Sequence, residues 1–166
     1  MNKDSNEIAL NLLPFTSHLK PGGWYEFQDY NAELLNNNGK PPEDSPLVKW
    51  WDKVVSTFDE CGKPIKIAER MEDMLETIGF VDISVRMEVW PLGTWPKDKG
   101  LKERGMWGRL GLIDSLLPFS MALLTRIGGW NSDEVAELCE AAKGELMAKT
   151  NRYYSLGYFI TAQKPR

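Results

Sequence analysis

Histidine is almost absent from this 166-residue chain: His18 is the single one. A histidine-based metal site or catalytic triad is therefore not expected. Cysteine is nearly as scarce. Cys61 and Cys139 cannot build a dense disulfide framework, so a reducing compartment is expected, and with it a cytoplasmic location. Positive charge is in deficit, with 20 Lys and Arg against 24 Asp and Glu, net −4. A nucleic-acid binder usually carries a basic face, and this chain has no such excess. No apolar run approaches the ~18 residues of a membrane span. Residues 1–7 lack the basic-then-apolar order of a signal peptide. There is no internal repeat, no low-complexity run and no glycine-rich strand-to-helix turn of the G-x-G-x-x-G kind.

What is present is apolar and aromatic. The chain is 42% hydrophobic and 11% aromatic, too much of both for a disordered segment, and its length suits one domain spanning residues 1–166. Tryptophan stands out, with seven: Trp24, Trp50, Trp51, Trp90, Trp95, Trp107 and Trp130. Each either fills the core or walls an aromatic pocket for an apolar ligand.

The periodicities predict an α/β chain in the order α-β-α-α-β-α-α-β. A helix is expected over 5–18, bent or ended at Pro14. The turn Lys20-Pro21-Gly22-Gly23 leads into an aromatic strand at 24–30. Residues 36–42 read as a loop. Over 46–59, Leu47, Trp50, Trp51, Val54 and Val55 share one helical face. A second helix over 65–78 stops at Gly79. Residues 80–90 alternate, placing Val81, Ile83, Val85, Met87 and Val89 on an apolar face and Asp82, Ser84, Arg86 and Glu88 on a polar one. A long helical region over 99–127 is expected to break at its glycines and at Pro118. A helix over 132–149, capped by Ser132, precedes a last strand at 153–163.

The run His18-Leu19-Lys20-Pro21-Gly22-Gly23-Trp24, followed by Glu26, Gln28 and Asp29, resembles a signature of fungal secondary-metabolism methyltransferases that use S-adenosylmethionine. So do Leu75-Glu76-Thr77-Ile78-Gly79-Phe80-Val81-Asp82, the loop from Trp90 to Asp98 with Leu101-Lys102-Glu103, and the terminal Lys164-Pro165. The Leu-Lys-Pro-Gly-Gly turn is common to many class I methyltransferases, whereas the tryptophan–proline loop with Lys97-Asp98 is far more specific. The resemblance covers residues 8–165 and implies only the C-terminal half of that fold, the half that lies over the substrate. It implies a truncated class I methyltransferase fold: a three-stranded mixed sheet with the last strand inserted antiparallel between the other two (order 1-3-2), and five to six helices. The cofactor-gripping half is not implied, so no cofactor is expected to be held by this chain alone. Strand 24–30 would then present an open edge, which a second copy would cover; a homodimer is expected.

Three residues are candidates for catalysis. Glu26 lies near a strand end where α/β ligands gather and suits a general acid or base. Lys102 and Arg104 follow the tryptophan loop and can polarise a carbonyl. Substrate-binding candidates are Asp29, Trp90, Trp95, Trp107, Arg126, Trp130 and Tyr158. The plainer reading makes Glu26 and Asp29 capping carboxylates and the cations a solvated helix start. His18 reads as a turn-stabilising side chain.

Three functions follow as expectations. The first is a cofactor-independent enzyme of natural-product biosynthesis, a cyclase, pericyclase or isomerase acting on an apolar polyketide or terpenoid by holding one conformer. The second is a methyltransferase fragment or subunit. The third is a non-catalytic partner of a full-length methyltransferase.

Overall fold

The computed structural model describes residues 17–148 and 150–166. All but the last two positions of the helix expected over 5–18 lie outside these residues. The elements are β1 (Trp24–Tyr30), β2 (Leu35–Asn36), α1 (Pro46–Glu60), a 3-10 turn (Ala68–Arg70), α2 (Met71–Thr77), β3 (Val81–Pro91), α3 (Lys99–Ser120), a π-helical turn (Met121–Thr125), α4 (Ser132–Met147) and β4 (Tyr153–Gln163).

The strands sort by charge. β4 (YYSLGYFITAQ) carries no ionisable acid or base other than its tyrosines, and it is the strand with the most neighbours, pairing with β1, β2 and β3. β1 and β3 carry Glu26, Asp29, Asp82, Arg86 and Glu88, the kind of residue that blunts a sheet edge. β1 runs antiparallel to β4 with Trp24 opposite Gln163, Asp29 opposite Tyr158 and Tyr30 opposite Gly157. The two-residue β2 is antiparallel to β4 at Leu35 and Asn36. The last strand thus pairs with both other long strands, as the sequence led us to expect. The sheet nevertheless has four strands, not three, because Leu35 and Asn36, the latter expected in a loop, pair with Tyr154 and Tyr153. Four α-helices are found among the described residues, not five or six.

Contacts divide the chain into two units. One comprises Ala32–Lys66 and Val89–Leu156, here called the helical unit. Its α1 starts where Ser45 Oγ accepts from Val48 N at 3.1 Å and Pro46 sits in the first turn, since proline there forfeits no helical bond. Spacing of i, i+3, i+4, i+7 and i+8 then buries Leu47, Trp50, Trp51, Val54 and Val55. They pack with Val135, Cys139, Ala142 and Leu146 of α4 and with Leu116, Leu123 and Leu124. Asn131, not Ser132, caps α4, accepting from Asp133 N at 2.7 Å; an Asn one residue earlier competes successfully for the same role. The helix ends at Met147, two residues short of the expected end.

The expected break of 99–127 at its glycines does not occur: α3 runs unbroken through Gly100, Gly105, Gly108, Gly111 and Pro118. Gly costs about 1 kcal/mol in a helix, and packing reverses the balance. A Cβ on Gly105 would lie 2.1 Å from Gly93 O and 2.9 Å from Pro91 Cβ, so only glycine lets α3 approach the Pro91–Gly93 backbone. The irregularity falls later, as the π-turn three residues past Pro118.

The other unit comprises Ile67–Glu88, Gly157–Arg166 and the described residues up to Asn31, here called the strand unit. Met71, Met74 and Leu75 of α2 are buried, with Phe80, Tyr158, Ile160 and Ala162. Gly79, at φ +88°, ends the helix in a conformation other residues resist. β3 departs from expectation. Its alternation is real, but Val81, Met87 and Val89 are exposed: alternation says which residues share a face, not whether anything covers it.

Candidate functional site

The expected site residues fall into two groups, one in each unit. In the strand unit, Glu26 and Gln28 share the exposed face of β1, where Gln28 Nε2 donates to the Glu26 carboxylate. Asp29 turns the other way, as period-2 geometry requires, and accepts from Tyr30 N at 2.8 Å. Tyr158 is buried directly opposite Asp29. Arg86 lies over the Phe159 ring at 4.4 Å and pairs with Glu88.

In the helical unit, Asp98 caps α3 by accepting from Leu101 N at 2.8 Å. Lys102 is exposed, and Arg104 Nη1 donates to Val89 O at 3.3 Å. Trp95 Nε1 donates to Tyr153 O at 3.1 Å, with its ring 6.4 Å from Tyr154. Trp90 is half-buried, Arg126 is exposed, and Trp107 is 63% exposed. Trp130 is half-buried, and Lys53 Nζ sits 5.0 Å from its ring centroid. Of the seven tryptophans only Trp50 and Trp51 are fully core; Trp50 Nε1 donates to Ser120 Oγ at 2.6 Å.

A polar knot ties this unit together. The Glu145 carboxylate accepts from Ser45 Oγ at 2.7 Å, Leu47 N at 2.9 Å and Tyr153 O–H at 2.6 Å. Burial, reinforced by that bond to Glu145, pushes the Tyr153 hydroxyl up to about 12.

A groove lies away from all of these residues. An open groove of about 640 Å³ is lined by Phe58, Ser115, Pro118, Phe119, Ala122, Leu123 and Ile127. Phe58 reaches it from α1, Ser115, Pro118 and Phe119 from the last turns of α3, Ala122 and Leu123 from the π-turn, and Ile127 from just beyond. The Phe58 and Phe119 rings are 6.0 Å apart and tilted by 32°. Its volume falls within the roughly 300–1,000 Å³ of small-molecule sites. No titratable side chain lines it, and none of the ten expected site residues does. The signal that marks it in the sequence is Pro118 inside an apolar helical run: proline there disturbs the bond ladder, and π-turns inside helices often accompany functional sites.

Two glycine turns among the described residues offer S-adenosylmethionine no open cradle. Gly22 and Gly23 precede β1 instead of following a strand into a helix. Gly93 does lie between β3 and α3, but its carbonyl is the atom that Gly105 packs upon, so no open cradle is formed there.

The chain is a mixed α/β protein with an antiparallel β1–β4–β2 pairing. No protein-family model matches it. It is 32% identical over 151 residues to the methyltransferase pytC of Aspergillus terreus, covering 90% of this chain and 46% of that protein. It is 32% identical over 152 residues to the secondary metabolism regulator LAE1 of Cochliobolus heterostrophus, covering 90% and 50%. It is 30% identical over 139 residues to the protein-methionine methyltransferase laeA of Chaetomium globosum, covering 82% and 44%. An N-methyltransferase 2 of Haemonchus contortus, solved with S-adenosylhomocysteine, covers 97% of this chain and 31% of its own, at 17% identity and TM-score 0.43; a likeness that low carries no argument. The chain is thus similar to fungal methyltransferases and LaeA-type regulators of secondary metabolism, and it spans about half the length of these relatives. Among the described residues no helix is long and apolar enough to cross a membrane.

Proposed function

We propose that this chain is the substrate-holding portion of a methyltransferase-like protein of fungal secondary metabolism, and that the groove between Phe58 and Ile127 seats an apolar small molecule. The observation carrying this reading is the groove itself: six apolar residues and one hydroxyl around about 640 Å³. Binding there draws on burial of apolar area, about 25 cal/mol per Å², and on shape. Titration with Nile red, an uncharged apolar dye, tests it. We expect saturable binding to the chain, weakened at least tenfold by Ala122→Trp, which fills the groove. Affinity unchanged by that substitution overturns the assignment.

A cofactor-independent cyclisation or isomerisation draws support from the same groove, since holding one folded conformer accelerates a unimolecular closure. It draws none from Glu26, Lys102 or Arg104, which do not line the groove; replacing each by alanine should leave dye binding unchanged. Calorimetry with S-adenosylmethionine separates these readings from that of a cofactor-binding subunit. No heat is expected, and micromolar binding overturns the substrate-holding reading. A homodimer remains part of the proposal. Among the described residues β1 pairs with β4 alone, and α3 exposes Trp107, Leu110 and Leu117. A monomer mass from light scattering overturns it.

A further inference from the structure

The groove's polarity is one-sided. Its single polar lining side chain is Ser115, whose O–H donates to Gly111 O at 2.5 Å. That bond takes the only hydrogen the hydroxyl has and leaves its oxygen lone pairs to accept. No other polar side chain and no cation lines the groove, so the Ser115 oxygen is the one side-chain acceptor among its lining residues.

From this we infer that the ligand of the groove is a neutral apolar molecule bearing a hydroxyl or N–H donor, a phenol or an alcohol, and not a carboxylic acid, ester or ketone. An incoming carbonyl would find a donor only by displacing the Ser115–Gly111 bond. A carboxylate would in addition carry a charge into an apolar site with no partner. A hydroxyl satisfies Ser115 Oγ while its hydrocarbon body covers Phe119 and Leu123. The inference rests on the groove being the binding site and adds the chemistry of its occupant.

Three probes of one shape test it: 1-naphthol, 1-methoxynaphthalene and 1-naphthoate, titrated calorimetrically into the full chain. We expect 1-naphthol to bind about threefold to tenfold more tightly than its methyl ether, the span of one neutral hydrogen bond, and 1-naphthoate not to bind. Ser115→Ala should shrink the naphthol preference and Ser115→Thr should keep it. Equal affinity for naphthol and its ether, with Ala122→Trp abolishing both, overturns the donor inference and leaves the groove standing. A naphthol preference untouched by both Ser115→Ala and Ala122→Trp overturns the inference as well. Failure of all three probes and of Nile red to bind overturns the groove assignment and the inference with it.

Discussion

The helical unit holds an extended core and the strand unit a smaller one, while both leave large apolar side chains exposed. The extended buried cluster, with Leu47, Trp50, Trp51, Leu116, Leu124, Val135 and Leu146, lies wholly in the former. The latter buries a smaller set around Met71, Met74, Leu75 and Ile160 and leaves Trp24 at 57% and Met87 at 58% exposure. A helix whose apolar stripe meets another stripe gains burial on one side and stays polar on the other. A strand has two faces and two edges, and each needs something to meet.

That contrast is open to measurement. The largest expected effect is Leu124→Ala in the helical unit, about 2–5 kcal/mol of stability lost, read by urea unfolding. Met87→Ala on β3 should cost less than about 0.5 kcal/mol. Equal losses would break the contrast. Next comes Glu145→Ala, which strips the shared acceptor from Ser45, Leu47 N and buried Tyr153; one or more buried donors left unmet should cost about 1–3 kcal/mol. A third expectation concerns alkali. Tyr153 is raised to about 12 from the ordinary 10.0, so the folded state keeps its proton where the unfolded state has lost it. The stabilisation is complete below pH 10 and drains away as pH rises from 10 to 12. Tyr153→Phe should flatten that alkaline fall in unfolding midpoints; an unchanged slope would count against the buried bond to Glu145. The smallest effect belongs to Asp82, which holds φ 51° at the start of β3. Asp82→Gly should be neutral or slightly stabilising, while Asp82→Val should lose about 1–2 kcal/mol, both by thermal melts.

Much of the architecture was legible in the sequence. Strands 24–30 and 153–163 fall where their aromatic, alternating composition puts them, and α1 follows from its i, i+3, i+4 stripe. The ends were less legible. Asn131 displaced Ser132 as a cap, and β2 formed because Tyr153 and Tyr154 were there to bond it, a fact no local window contains. The groove was not legible, for a physical reason. Phe58, Phe119, Leu123 and Ile127 are apolar residues in helical runs, where such residues usually form core, so no local pattern singles them out. Only their neighbours decide that Phe119 and Ile127 stay exposed. The conspicuous tryptophans and charges drew attention elsewhere, and they serve chiefly as bonds and packing around Tyr153, Val89 and Lys53.

Gly105 carries a last consequence. With the Gly93 carbonyl pressed where its first side-chain atom would go, a single added methyl acts as a wedge driven between helix and loop. Across a set of related sequences this position would stay fixed as stubbornly as any reacting group, though it touches no ligand and holds no charge. Its invariance would report clearance, and a survey of unchanging residues would mistake that for chemistry.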